Sequence, residues 1–194
     1  MSTVQLPLTA CEAERAPVNE EADLVERAKR DRQAFAALYR RYYPMLSDYV
    51  FRRTGHVHAT EDLVSEVFLV VLRTLPRYRY RGVPVRFWML RIATNAVNRW
   101  ARQERRHAAM SLSAEQLPDA GSPRRSTDGE VDPERARRAL LSLSPKHQAV
   151  LSLHYFEGLA VKEVAAVIGC RVGTVKSRLA RGRNALRQEL NGRR

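Results

Sequence analysis

At 194 residues the chain has room for one domain or two small ones and is too short for a large multidomain enzyme. Its 34 Lys+Arg against 21 Asp+Glu leave a net charge of +13, a balance that favours a polyanionic partner because basic side chains displace the counterions condensed on phosphates. Glu12, Glu14, Glu20 and Glu21 stand where a secretory signal would carry a basic start and an apolar run, and no stretch approaches the ~18 apolar residues of a membrane span. A cytoplasmic protein without membrane insertion is therefore expected. Cys11 and Cys170 lie far apart with no Cys or His at ligand spacing, which indicates neither a disulfide framework nor a zinc site, and no cofactor motif is present. A GC-rich genome accounts for the surplus of arginine over lysine better than phosphate recognition does, so only the placement of the arginines is informative.

Helical spacing recurs along the chain and no alternation is sustained, so the expected class is all-α: two small helical domains joined by a flexible linker. Residues 1–22 read as a disordered N-terminal segment, 23–102 as the first domain, 103–131 as the linker and 132–194 as the second domain. Asp31 can cap a helix whose apolar stripe is Phe35, Leu38, Tyr39 and Tyr42. Pro44 and Gly55 punctuate the chain beyond that stripe. Thr60, Glu61 and Asp62 supply a cap and two anions for a helix over Leu63 to Leu75. Its core face is Leu63, Val64, Val67, Phe68, Val71, Leu72 and Leu75, and Leu69 and Val70 extend the apolar surface beyond it. Tyr78, Tyr80, Phe87, Trp88 and Trp100 are interleaved with Arg79, Arg81, Arg86, Arg91 and Arg99, a pattern suited to single strands because bases stack on aromatics while phosphates pair with cations. Trp88 shares helical spacing with Ile92 and Ala96 and is expected in the core. In the gap, Ser111, Ser113, Pro118, Asp119, Gly121, Ser122 and Pro123 are turn formers, and Asp132 before Pro133 restarts a helix.

Near the C-terminus, Ser144-Pro145 starts one helix and the segment from Gly158 to Ala165 starts the next, with Gly169-Cys170-Arg171 as a turn. From Val172 onward, Val175, Leu179, Gly182 and Leu186 make a packing stripe, while Thr174, Lys176, Ser177, Arg181, Arg183 and Arg187 occupy the other face with Arg178 at its flank. A helix-turn-helix needs this arrangement: a recognition helix for the major groove, braced by the helix before it. Arg and Lys donate to guanine edges or phosphates, and Ser and Thr serve either.

The run from Val172 to Leu179, preceded by Tyr155-Phe156-Glu157-Gly158-Leu159 and Lys162-Glu163-Val164-Ala165, resembles the promoter-binding C-terminal domain of extracytoplasmic-function (ECF) sigma factors of the sigma-70 family. Asp62-Leu63-Val64-Ser65-Glu66-Val67-Phe68 resembles that family's polymerase-binding helix, and Trp88-Met89-Leu90-Arg91-Ile92-Ala93-Thr94-Asn95 its minus-ten helix. The resemblance spans Asp23 to Leu190. It implies a region 2 domain, a region 4 domain, and as partners core RNA polymerase (the β′ coiled coil and the β flap), promoter DNA and an anti-sigma factor. It further implies Asn95 as reader of an unstacked minus-ten base, with Arg86, Arg91 and Arg99 around it. Arg171, Thr174, Lys176, Ser177, Arg178 and Arg181 would meet the minus-thirty-five element, and Asp62, Leu63, Glu66 and Val67 the polymerase.

The chain departs from the family pattern at Ser65, Val85, Ala160 and Arg171; the last two replace frequent helix caps. Two other readings stay open. A stand-alone helix-turn-helix regulator would bind duplex without polymerase, and His56, His58, Glu61, Asp62 and Glu66 could be imagined as a metal site, though at no known ligand spacing.

Overall fold

The computed structural model describes residues 18–80, 83–111 and 133–191. Eight α-helices run through the described residues: α1 (Val18–Ala28), α2 (Arg32–Thr54), α3 (Val57–Thr74), α4 (Val85–Ser111), α5 (Pro133–Ser142), α6 (Pro145–Leu151), α7 (Val161–Ile168) and α8 (Val172–Asn191). A 3-10 turn at Leu75–Arg77 follows α3, and a π-helical stretch at Ser152–Phe156 prolongs α6. The class is all-α, as the spacing predicts.

The first block packs α1, α3 and α4 around α2. Asp31 caps α2 as expected, its carboxylate accepting from the backbone N–H groups of Gln33 (2.9 Å) and Ala34 (3.2 Å). The buried stripe is Ala34, Leu38, Tyr42, Leu46, Tyr49, Val50 and Arg53, displaced from the predicted one: Phe35 is half-buried and Tyr39 is exposed, stacked on Tyr43 and Phe68 at the margin. Pro44 does not interrupt the chain but lies inside α2. Burial of Leu38, Tyr42, Leu46 and Tyr49 on either side outweighs the ~3 kcal/mol that an interior proline costs.

Two boundaries differ from expectation. Helix α3 starts at Val57, and Thr60 is not its cap; the buried Thr60 hydroxyl donates to the His56 carbonyl (2.7 Å) one turn back and lies 2.9 Å from the Thr54 hydroxyl. Helix α1 begins at Val18, inside the segment read as disordered, because Glu21 is buried and accepts a hydrogen bond from the Tyr42 hydroxyl. Residues 1–17 lie outside the described residues. Likewise α4 continues to Ser111, nine positions into the expected linker, through Ala101-Arg102-Gln103-Glu104-Arg105-Arg106, all good helix formers. The remainder of that gap, including the Asp132 cap, also lies outside the described residues, although α5 does begin at Pro133.

In the second block α8 packs on α5, α6 and α7. Gly169 ends α7 at φ +73, and its N–H donates to the Ala165 carbonyl (2.9 Å), which forms the turn of the helix-turn-helix. The missing cap at Ala160 is offset by Glu163, whose carboxylate accepts the Ala160 backbone N–H (2.7 Å).

The two blocks share one apolar core. Helix α5 lies on α2, α6 on α2 and α4, and α7 on α4. Gly55, which closes α2 at φ +72, also lets α5 approach: a Cβ there would stand 2.6 Å from the Leu141 methyl. Polar contacts finish the junction. The Arg52 guanidinium pairs with the Glu157 carboxylate and lies over the Phe156 ring. Arg53 donates to Asn98 Oδ1 (2.7 Å) and the Pro145 carbonyl (3.3 Å), and Arg137 reaches the Gly55 carbonyl (3.5 Å) and the Phe51 ring.

Burial pushes the Glu157 carboxyl above its ordinary value, with a smaller push from Asp48, against the opposing pull of Arg52 and, more weakly, Arg86. The folded carboxyl thus binds a proton more readily than the unfolded one. Its contribution is fully present below its unfolded value and is lost as pH rises through the raised folded value. Glu157→Gln, which keeps an acceptor for Arg52 without the charge, is expected to melt above the wild type at neutral pH, the gap closing as pH falls into the ordinary carboxylate range. Thermal melts across that pH series check this; a Gln variant less stable at neutral pH would show that attraction to Arg52 outweighs burial.

Candidate nucleic-acid interface

On α8 the packing stripe is Val175, Leu179 and Gly182, all buried, with Leu186 half-buried, as the spacing predicts. Arg171, Lys176, Ser177, Arg181, Arg183 and Arg187 are exposed, while Thr174 and Arg178 are half-buried at the flanks. The Ser177 hydroxyl donates to the Thr174 carbonyl (3.0 Å), a bond within the helix that a base or phosphate can replace, and Arg183 reaches the Tyr155 hydroxyl (3.3 Å). His147 of α6 sits beneath this face, its pKa lowered chiefly by burial and then by Lys146, Arg181 and Arg178. Cys170 is half-buried against the core.

On α4, Arg91, Asn95 and Arg99 are exposed and succeed one another at four-residue steps, which places them on one face. The fourth predicted residue, Arg86, is half-buried, with its guanidinium over the Phe87 ring (5.2 Å) and close enough to Glu157 to act on its charge. Trp88 is half-buried rather than core, stacked on Tyr78 with ring centroids 4.4 Å apart. With Thr74, Arg77 and Arg79 these two rings line an open cleft of about 450 Å³. The other aromatics do not collect there. Phe87 is buried, and Trp100 faces His56 across the α3–α4 groove (6.1 Å). The signal that could have found the cleft is Tyr78 itself, ten residues before Trp88, where the turn after Pro76 folds the chain back.

The four residues predicted to bind polymerase divide in two. Leu63 and Val67 are buried in the core of the first block and hold α3 in place, Leu63 keeping an edge on the α3–α4 groove beside Asp62 and Glu66. Asp62 is exposed and Glu66 half-buried one turn on; the same face continues through Ser65 and the exposed Leu69 and Leu72. Leu72, predicted for the core, is 49% exposed because the stripe that packs runs through Val64, Val67, Phe68 and Val71. Glu66 is also ion-paired with Arg99 of α4, so two residues predicted for different partners meet in this structure. His58 is almost fully exposed and lies 3.9 Å from the Glu61 carboxylate.

A helix-turn-helix with an open basic face, carried beside a helical block that bears an aromatic cleft, defines a DNA-binding protein. The sigma-70 region 2 family description matches residues 38–107, and that of sigma-70 region 4 matches residues 134–186. Similar proteins include the ECF RNA polymerase sigma factor SigL of Mycobacterium tuberculosis (strain ATCC 25618 / H37Rv), 32% identical over 79% of this chain and 87% of SigL. RNA polymerase sigma factor YlaC of Bacillus subtilis is 29% identical over 82% of this chain and 93% of its own. In fold the chain is similar to the sigma factor RpoE crystallised with the anti-sigma factor NepR from Bartonella quintana, with TM-score 0.64, 24% identity and coverage of 82% of this chain and 98% of that one. It is also similar to CnrH in complex with the cytosolic domain of CnrY, with TM-score 0.66, 23% identity and coverage of 90% and 99%. The chain belongs to the ECF sigma factors of the sigma-70 family.

Arg171 stands immediately before Val172 and has no side-chain oxygen to satisfy the free N–H groups of α8. Arg171→Ser is expected to stabilise the free protein by about 1 kcal/mol and to weaken promoter binding. Urea unfolding checks the first part, and a variant less stable than the wild type would contradict it.

Proposed function

We propose that this sigma factor reads the minus-thirty-five element with the exposed face of α8 and the minus-ten element with α4 and the Tyr78–Trp88 cleft, while the α3 face bearing Asp62 and Glu66 docks on core RNA polymerase. The observation that carries the assignment is the exposure, on two different helices, of two basic faces whose opposite sides are packed. On α8, Lys176 and Arg181 are positioned for phosphates or guanine edges, and Thr174, Ser177, Arg178 and Arg171 complete the footprint. On α4, Asn95 offers both a donor and an acceptor to an unstacked base, with Arg91 and Arg99 on the same face for the backbone. Each contact is weak alone; held on polymerase, each raises the effective concentration of the other.

The protein acts as a regulator rather than an enzyme, with core polymerase and promoter DNA as its partners and an anti-sigma factor as its antagonist. The β′ coiled coil is the surface that suits Asp62 and Glu66, and the β flap the one that suits the second block. None of the described helices is long and apolar enough to cross a membrane, and the cytoplasm is the proposed place of action. The stand-alone regulator has no observation in its favour that the sigma factor lacks.

Run-off transcription from a promoter library with core polymerase tests the assignment. Start sites that depend on the protein and share two spaced upstream elements are expected. Lys176→Ala and Arg181→Ala should each weaken binding to the upstream element, with a salt slope shallower by about 0.9 for each phosphate no longer neutralised. Asn95→Ala should instead change which minus-ten base is tolerated. Unaltered promoter choice in all three variants would defeat the residue assignments.

A further inference from the structure

Tyr78 and Trp88 stack in the cleft assigned to the minus-ten element, but only Trp88 is carried by a helix. Residues 78–80 follow the 3-10 turn and belong to no helix. The Tyr78 backbone N–H donates to the Leu75 carbonyl (3.0 Å), and from there the chain runs extended, with Tyr78 at φ −67 and ψ 132. In an extended segment alternate side chains point the same way. Tyr78 and Tyr80 are accordingly half-buried, and Arg79 between them is exposed.

The two tyrosines share a carboxylate from the first helix. Glu21 lies in the first turn of α1, is 9% exposed and accepts a hydrogen bond from the Tyr42 hydroxyl of α2. Its charge also acts on Tyr78 and Tyr80. Both phenols are pushed above their ordinary value, chiefly by burial and next by Glu21, and at Tyr80 a hydrogen bond to Glu21 adds to the effect. A buried carboxylate has to be met by donors, and an ionised one accepts from several at once. Tyr42 fixes Glu21 to the core through α2, and Tyr80 is its donor from the loop.

We propose that Glu21 is a positioning residue for promoter recognition: anchored to α2 by Tyr42, it holds Tyr80, and with it the neighbouring Tyr78 ring, against Trp88, and so fixes the shape of the cleft. The proposal rests on the assignment of that cleft to the minus-ten element. Glu21 itself touches no base or phosphate. An acid this near a nucleic-acid surface repels phosphate, so by charge alone its removal tightens binding. By positioning, its removal weakens binding. The opposite signs separate the two effects.

The test uses the full-length chain with Trp100→Phe, which leaves Trp88 as its single indole. Acrylamide quenching of the free chain measures how far Trp88 is covered. Titration of the chain bound to core polymerase measures affinity for a single-stranded oligonucleotide carrying the minus-ten sequence that the run-off library yields. Glu21→Leu, which keeps bulk and removes the acceptor, is expected to open Trp88 to the quencher and to weaken the oligonucleotide about tenfold, the worth of one base stack. Glu21→Gln, which removes the charge but keeps an acceptor oxygen, is expected to restore both values. Tyr80→Phe, which keeps the ring, should reproduce Glu21→Leu, and the two together should be no weaker than either alone. Wild-type quenching and affinity in Glu21→Leu would overturn the proposal, as would a Gln variant as weak as the Leu one. Should Glu21→Leu fail to fold, Tyr80→Phe carries the same outcomes with the Tyr42 bond to Glu21 intact. Greater quenching with unchanged oligonucleotide affinity would uphold the positioning and sink the assignment of the cleft; weaker binding with unchanged quenching would overturn the positioning and leave that assignment standing.

Discussion

A buried guanidinium joins three helices at the centre of the molecule. Arg53 is 2% exposed, and its partners are the Tyr49 hydroxyl (3.0 Å), Asn98 Oδ1 (2.7 Å) and the Pro145 carbonyl (3.3 Å), none of them a carboxylate. A cation removed from water is tolerated only where dipoles replace the lost hydration. Here the replacement is directional. Arg53 donates to the Tyr49 oxygen, the Tyr49 hydroxyl is left to donate to Thr94 Oγ1 (2.7 Å), and Thr94 donates to the Leu90 carbonyl (2.6 Å). The relay fixes the rotation of α4 about its own axis. With Thr94 and Asn98 held inward, Arg91, Asn95 and Arg99 are turned outward, so the direction of this exposed face is set by a side chain on another helix.

The positive charge of the chain is thereby divided into two populations. Arg52, Arg53, Arg86 and Arg137 lie at the junction of the blocks, each stacked on an aromatic ring. Those on α8, apart from the half-buried Arg178 at its flank, stand in solvent opposite a packing stripe. A guanidinium suits both duties, being weakly hydrated enough to enter an interface and rigid enough to present a fork to a phosphate. The net charge of +13 alone does not distinguish the two.

Features governed by neighbours in the sequence were legible in it: the Asp31 cap, the start of α5 at Pro133, the stripe and basic face of α8, and the turn at Gly169. Local rules misplaced the elements whose outcome depends on distant packing. Thr60 has the composition of a cap but spends its hydroxyl on the turn before it, Pro44 is carried through by burial on both sides, and α1 starts early because Glu21 finds Tyr42. At the candidate site, Leu63 and Val67 carried two readings, core by periodicity and polymerase contact by resemblance, and their burial follows the periodicity. Arg52 and Glu157 are 105 positions apart, and nothing in the spacing of either announces the other.

The π-helical stretch after α6 sets the phase of the chain leading into α7. Its wider turn is closed by the Glu157 backbone N–H on the Ser152 carbonyl (3.1 Å), one residue further along than an α-helix would place it. One residue is about 100° of rotation at 3.6 residues per turn. The extra residue is therefore what aims Glu157 at Arg52 and leaves Tyr155 and Phe156 on the outside. Length in this segment is consequently more constrained than composition: side chains along Ser152–Phe156 can vary in size within the limits of packing, but a single deletion would swing the carboxylate about a quarter-turn away from its partner.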